Sequence, residues 1–314
     1  MPTSAIDLTR LGKTEIRVTP LGIGTWSWGD SMVWGFGKGY AEADLRAAFD
    51  ATLASGITFF DTAEIYGWGK SERFLGKFVR ESGHKVIIAT KFFPFPWRLR
   101  KGALLQALRG SLDRLGIDQV DLYQIHWPFP PVAIETWMDG MADAVQAGLT
   151  KAIGVSNYNV EQTQRAHAAL AKRGVPLASN QVQYSLLCRD PEHTGLLQTC
   201  DELGVTLIAY SPLTMGMLTG KYTPDNLPSG TRARRYHRAY LAKIQPLIGL
   251  LQEIGVAHGK TPSQVALNWV ICKGAVPIPG AKDARQAADN VAALGWRLAA
   301  DEVAALDHAS DAIR

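Results

Sequence analysis

Residues 57–66, Ile-Thr-Phe-Phe-Asp-Thr-Ala-Glu-Ile-Tyr, decide how this chain reads. Ile57 to Phe60 make a short apolar run rich in β-favouring residues, the mark of a buried parallel strand. Asp61 ends the run with a charge, and Tyr66 stands just before the loop signal Gly67-Trp68-Gly69. The design recurs twice. Val-Ile-Ile-Ala-Thr at 86–90 ends in Lys91, and Val120–Ile125 ends in His126. Three apolar strands thus each deliver one ionisable side chain at the C-terminal end, where barrels and open α/β sheets place their active sites. Each residue alone has a plainer reading: strand-end Asp caps helices, and Lys and His are commonly solvated. Three coincidences and a loop tyrosine favour a site.

Outward from this stretch, strands and helices alternate. Residues 8–18, centred on Leu11-Gly12-Lys13, read as a small hairpin, and 20–25 as the first buried strand. Helical periodicity follows over 41–55, with Leu45, Ala48, Phe49 and Leu53 on one face. The spacing then predicts helices over 72–81, 104–115, 132–147 and from 158 through 170, and near 196–203. Further strands are expected at 151–155, 177–183 and 205–210. A Gly-, Pro- and Arg-rich segment, 213–239, interrupts the alternation. Helices near 244–258 and 262–272, an eighth strand at 276–278 and a last helix from 284 to about 293 complete the count. Eight β/α units without repeats or a linker predict one domain over 1–314, a (β/α)8 TIM barrel with an N-terminal β-hairpin. An open doubly wound sheet is the alternative.

The 314 residues are 46% hydrophobic, enough for a large core, with a formal charge of +4. That balance suits an anionic cofactor and is too weak to argue for nucleic acid. No apolar run approaches the ~20 residues of a membrane helix, and the first ten residues lack the apolar core of a secretory signal. Cys188, Cys200 and Cys272 stand singly, which points to a reducing compartment: the cytoplasm, or the plastid stroma for a mature form.

Several motifs fail on inspection. Gly69-Lys70-Ser71 is no phosphate loop, because Glu64 occupies the place of the earlier glycine. Gly22-x-Gly24 meets Ser27 where a dinucleotide fingerprint needs its third glycine. The seven His offer no ligand spacing, so no metal is expected, and His84, His193 and His258 read as surface or cap residues. Arg232, Arg234, Arg235 and Arg238, with Tyr236 and His237 among them, read first as a solvated loop; contact with cofactor phosphates is the alternative. The aromatic loop 26–36 and Phe92-Phe93-Pro94-Phe95-Pro96-Trp97 follow strand ends, so they suggest a hydrophobic substrate pocket. Trp28, Trp34, Phe92, Trp97 and Trp127 are its candidate walls.

Taken together, Gly56-x-x-x-Phe60-Asp61-Thr62-Ala63-x-x-Tyr66-Gly67, Thr90-Lys91, Ile125-His126-Trp127-Pro128 and Gly154-Val155-Ser156-Asn157 resemble the aldo-keto reductases. So do Asn180-Gln181-x-x-Tyr184, Tyr210-Ser211-Pro212-Leu213 and Pro279-Gly280-Ala281-Lys282 with Gln286, Asp289 and Asn290. These motifs keep the family's order over nearly the whole chain. Within the family, the chain is similar to potassium-channel β-subunit-like oxidoreductases and to plastid and cyanobacterial members.

The resemblance implies a catalytic tetrad of Asp61, Tyr66, Lys91 and His126, the residues already found at the strand ends. It implies NADP(H) as cofactor, with Ser156, Asn157 and Gln181 on the nicotinamide carboxamide and Tyr210 stacked on its ring. Ser211, Leu213, Gly216, Leu218 and Lys221 would line the pyrophosphate. Lys282 and Gln286 would hold the 2′-phosphate, and Asp289 and Asn290 the adenine. Gly24, Thr25, Trp26, Pro212, Pro279, Gly280 and Ala281 complete the implied cofactor set. Met215 departs from the small polar residue common at its position in relatives.

In this reading Tyr66 donates a proton to a carbonyl oxygen, and the Lys91 ammonium lowers the tyrosine pKa. Asp61 holds Lys91, while His126 orients the oxygen. The expected function is NADP-dependent reduction of small aldehydes or ketones, or the reverse oxidation, on small-molecule substrates. The alternative is a regulatory NADP-binding subunit resembling the channel β subunits. A metal-dependent barrel hydrolase fails for want of ligands.

Overall fold

The computed structural model describes residues 7–313. A two-stranded antiparallel hairpin, β1 (Thr9–Arg10) and β2 (Arg17–Val18), comes first. Eight parallel strands follow: β3 (Ile23–Gly24), β4 (Phe59–Asp61), β5 (Ile87–Phe92), β6 (Val120–Ile125), β7 (Thr150–Ser156), β8 (Leu177–Gln183), β9 (Thr206–Tyr210) and β10 (Val276–Ile278). They pair in chain order from β3 to β10. The sheet then returns on itself. The amides of Gly22 and Gly24 donate to the carbonyls of Pro277 and Pro279, both at 3.0 Å. A Cβ on Gly24 would stand 2.9 Å from the Ile278 carbonyl oxygen, so this closure depends on the missing side chain. The barrel, not the open sheet, is the fold.

Twelve helices surround it among the described residues: α1 (Glu42–Ala54), α2 (Lys70–Ser82), α3 (Lys101–Leu115), α4 (Ile134–Gln146), α5 (Val160–Ala171), α6 (Asp190–His193), α7 (Leu196–Leu203), α8 (Thr231–Arg235), α9 (Arg238–His258), α10 (Pro262–Cys272), α11 (Ala284–Val291) and α12 (Ala300–Asp311). Their starts are set by local chemistry. The Asn159 and Thr261 side chains accept from the Gln162 and Gln264 amides as N-caps of α5 and α10, and Pro262 opens α10 where no amide is needed. Several elements differ from expectation, the short helices α6 and α8 among them. Helix α9 begins at Arg238, because His237 caps it by accepting from the Tyr240 amide. Strand β5 runs through Phe92, whose pairing with Ile125 places Lys91 inside the strand. Helix α12 was not expected; only Leu306 and Ser310 are buried along it, so it shows little apolar periodicity.

Two apolar layers make the core. Inside the barrel lie Phe59, Ala89, Leu122, Ala152, Ala178, Ile208, Val276 and Ile278, closed below by Leu11 and Val18 of the hairpin. The hairpin is tied there by the Gly12 amide donating to Thr206 Oγ1 at 2.7 Å. Between strands and helices sit Phe49, Phe60, Phe78, Trp137 and Trp269, all fully buried. Each such side chain contributes roughly 1.5–3 kcal/mol. With the barrel floor filled, polar side chains concentrate at the upper end.

Candidate active site

Successive side chains of a strand face opposite ways, so alternate residues of each barrel strand point to the axis. That parity brings Asp61 from β4, Lys91 from β5, Gln124 from β6 and Gln181 from β8 together, with His126 just beyond β6. All five are buried. The Lys91 ammonium donates to Asp61 Oδ2, to the Thr62 carbonyl at 2.9 Å and to the Tyr66 hydroxyl at 3.4 Å. It also lies 5.0 Å from the centre of the Tyr66 ring. The other oxygen, Asp61 Oδ1, accepts from the Gln181 amide at 2.7 Å and the Gln124 amide at 3.2 Å. The Tyr66 and His126 rings meet edge to face, 5.7 Å between centres.

Burial dominates the electrostatics. It pulls Lys91 below the usual amine range in spite of Asp61. It holds His126 well below the ordinary imidazole value, and the Lys91 charge adds to this. His126 is therefore neutral at physiological pH. Its Nδ1 is buried without a protein partner. Tyr66 moves against expectation: burial and the Asp61 charge push it well above the ordinary phenol value. Tyr66 therefore keeps its phenolic proton at neutral pH.

A cavity of about 810 Å³ opens above this group. Asp61, Tyr66 and His126 line it. So do Gly24, Trp26, Ser156, Asn157, Gln181, Tyr210, Ser211, Pro212, Leu213, Gly216, Lys221, Pro279, Gly280, Lys282, Gln286, Asp289 and Asn290. Asn157 is held from two sides, donating to the His126 carbonyl at 3.0 Å and accepting from the Tyr210 hydroxyl at 3.0 Å. Asn157, Ser211, Thr214 and Met215 all have positive φ, as does Gly216 at 94°. Left-handed backbone at non-glycine residues costs of order 1–3 kcal/mol each and gathers at functional sites. At the far side, Lys282 Nζ lies 4.7 Å from the ring centres of both Trp34 and Tyr40 and donates to the Trp34 carbonyl at 3.3 Å.

Seven expected site residues lie outside the cavity lining: Lys91, buried beneath it, and six others. Trp28 is fully buried and donates its indole N–H to the Ala281 carbonyl at 2.9 Å, stapling the loop after β3 to the loop after β10. Phe92 follows Lys91 on the strand, so parity turns it outward onto Trp137, 5.0 Å between ring centres. Trp97 is 72% exposed and stacks on Phe95 at 4.6 Å. Thr25 is buried against the Asp61 carbonyl and Ser71, while Leu218 and Ala281 belong to the core. Trp34 and Trp127 do line the cavity, as do Ile65, Met215, Tyr222 and Arg285, which sequence reasoning did not assign to the site, and Arg232, for which a phosphate contact was the alternative reading. Of the arginine cluster, Arg232 reaches the cavity, lying over the Tyr222 ring at 5.7 Å. Arg234 and Arg235 are exposed and Arg238 pairs with Asp225 in solvent. Gln124 was missed, although a glutamine in an apolar strand two residues before His126 must share its face.

The Aldo/keto reductase family model matches residues 20–311. The chloroplastic pyridoxal reductase of Arabidopsis thaliana is 46% identical over 308 residues, covering 94% of this chain and 84% of that protein. Among solved structures, a glycerol dehydrogenase from Gluconobacter oxydans superposes with a TM-score of 0.86 at 26% identity, covering 98% of this chain and 95% of that one. An aldo-keto reductase from Klebsiella pneumoniae in complex with NADPH gives a TM-score of 0.76 at 28% identity, with coverages of 97% and 95%.

Proposed function

The chain belongs to the aldo/keto reductase family, and from that premise we propose that it is an NADPH-dependent reductase of ring-bearing aldehydes, pyridoxal among them. The observation that carries the reading is the Lys91 ammonium bridging Asp61 and the Tyr66 hydroxyl beneath the cavity. An assembled tetrad favours catalysis over the regulatory-subunit alternative.

The residues present fit a nicotinamide dinucleotide. His126 Nδ1 is an orphaned buried nitrogen beside the cavity, and Lys221, Arg232, Lys282 and Arg285 give its wall the cations that phosphates require. Ser156, Asn157, Gln181 and Tyr210 would hold the nicotinamide, the segment from Ser211 to Lys221 the pyrophosphate, Lys282 and Gln286 the 2′-phosphate, and Asp289 and Asn290 the adenine. Bound there, the cofactor supplies the hydride. Tyr66 gives its phenolic proton to the carbonyl oxygen, and Lys91 stabilises the phenolate left behind. Neutral His126 orients that oxygen by a hydrogen bond and puts no cation beside Lys91. Solvent returns the proton to Tyr66, so one carbonyl becomes one alcohol per cycle.

The substrate class follows from what surrounds Tyr66. From Tyr66, aromatic contacts run through Trp26 at 6.3 Å and on to Trp34 at 5.5 Å before reaching the Lys282 charge. On the other side they run through His126 to Phe93, Phe129 and Trp127, with centre separations of 5.7, 5.9 and 5.5 Å. Of these, Trp26, Trp34 and Trp127 line the cavity, and a flat ring suits such walls. The pyridoxal reductase relative agrees with this class.

Tyr66→Phe tests the mechanism. Single-turnover reduction of pyridoxal, followed by NADPH absorbance, should slow roughly 10²–10⁴-fold. NADPH affinity, read by fluorescence, should stay near wild type. Unchanged turnover removes Tyr66 as the donor. Faster turnover of straight-chain aldehydes than of pyridoxal and benzaldehyde would reject the ring preference.

A further inference from the structure

We propose that Gln124 is a positioning residue for this reaction, holding the Asp61 carboxylate so that Lys91 faces Tyr66. The inference rests on Tyr66 being the proton donor. Gln124 is fully buried in a strand whose neighbours Tyr123 and Ile125 pack outward in the apolar shell. Space is kept for it by its partner on the neighbouring strand β7: a Cβ on Gly154 would stand 2.9 Å from Gln124 Cγ and 2.4 Å from Ser179 Oγ. Its amide nitrogen donates to Asp61 Oδ1 at 3.2 Å, and its amide oxygen accepts from Gln181 at 3.4 Å.

Carboxylate torsions are soft and nearly two-fold. Two amide donors on Oδ1 leave Oδ2 for the ammonium, which thereby stays 3.4 Å from the Tyr66 hydroxyl. Without Gln124, Oδ1 keeps only the Gln181 amide, so the carboxylate turns more freely and the ammonium is drawn off Tyr66. An amide does not titrate, so the clamp is constant with pH. Through Gln181, which lines the cavity, the same amide also connects the ion pair to the cofactor wall.

The experiment compares Gln124→Met, which keeps volume and loses both hydrogen bonds, with Gln124→Glu. Gln124→Met should lower kcat for pyridoxal about tenfold, leave the pyridoxal KM within about twofold, and weaken NADPH binding by fluorescence about threefold. Gln124→Glu offers no donor to Asp61 while ionised and regains one on protonation. Burial and the Asp61 charge raise the pKa of that carboxyl, so the variant's kcat relative to wild type should fall as pH is raised from neutrality through its titration. A merely structural role would leave that ratio flat. If Gln124→Met does not fold, the pH dependence of Gln124→Glu decides. A flat ratio, or wild-type kcat in Gln124→Met, overturns the proposal. Tyr66→Phe is run in parallel: wild-type turnover there defeats the proton-donor reading itself, whereas its loss alongside indifferent Gln124 variants defeats Gln124 alone.

Discussion

The floor and the rim of the cavity are built on opposite principles. On the floor, Asp61, Lys91, Gln124 and Gln181 project from four barrel strands, are almost completely buried, and satisfy one another. On the rim, Lys221, Arg232 and Lys282 ride on the segments after β9 and β10 and are partly or fully solvent-accessible. Strand parity fixes the floor to within the pleat of a sheet, and the low local dielectric makes every charge there costly to disturb. The rim owes its shape to turns, left-handed residues and cation–π contacts, each worth little alone. In the function proposed above, chemistry that needs placement falls to the first, and recognition that needs only charge falls to the second.

The largest effect should come from breaking the floor. Lys91→Met is expected to lower kcat roughly 10²–10⁴-fold, since the proton donor loses its stabilising cation. It also strands the Asp61 carboxylate with amides alone, a loss of about 3–5 kcal/mol for a buried pair. Arg232→Ala on the rim, which removes a 3.4 Å contact to the Met215 carbonyl and a place over Tyr222, should change stability by less than about 0.5 kcal/mol. Single-turnover rates and urea unfolding of both variants measure the contrast. Comparable destabilisation at the two positions would erase it.

Beside the floor, His126 should carry a pH dependence on the acid side of neutrality. His126 is held below its ordinary value by burial and by Lys91, so it stays neutral when folded. Below about pH 6.5 the unfolded chain takes up a proton that the folded chain does not, and stability falls with pH by up to about 1.4 kcal/mol per unit. His126→Gln removes this term. Urea midpoints between about pH 7 and about pH 5 should fall more steeply for wild type than for the variant. Parallel slopes would mean that His126 takes its proton in the folded protein.

The same contrast explains what could be read from residues alone. Asp61, Lys91 and His126 were legible because a charge at the end of an apolar strand has few places to go. Gln124 was equally readable by parity, but an uncharged side chain draws less notice than an ion. Trp28 and Phe92 were misplaced for two different reasons. Phe92 needed the register of β5, since one residue of strand length decides which way it turns. Trp28 needed a partner 253 residues away, the Ala281 carbonyl, which no local pattern contains. Trp97 followed the correct strand end and still faces solvent, because a loop's direction is set by its packing on Phe95. The segment 213–239, legible only as a Gly-, Pro- and Arg-rich interruption, alternates tight turns with α8 and contributes its cavity residues mainly from its first ten positions and Arg232.

The smallest effect is expected at Lys282, where rim recognition can be isolated. A hydrogen bond between a cation and a phosphate is worth about 1.5–3 kcal/mol, which alone predicts tenfold or more in favour of NADPH over NADH. The ammonium is not idle beforehand, however. It lies 4.7 Å from two aromatic centres and donates to the Trp34 carbonyl. Burial and Arg232 already pull its pKa below the usual amine value. Two cation–π contacts at roughly 0.5–1 kcal/mol each must be surrendered or bent when a phosphate arrives. The remainder is about 1 kcal/mol, so Lys282→Ala should cut the NADPH preference only about fivefold. Because the contact is released into solvent, the loss should shrink further as salt rises. Trp34→Leu frees the ammonium from one ring and its edge, and on this argument it should raise NADPH affinity slightly while leaving NADH unchanged. Michaelis constants for both cofactors in the two variants settle the matter: equal weakening of NADPH and NADH in Lys282→Ala would show that the side chain supports the loop rather than the phosphate.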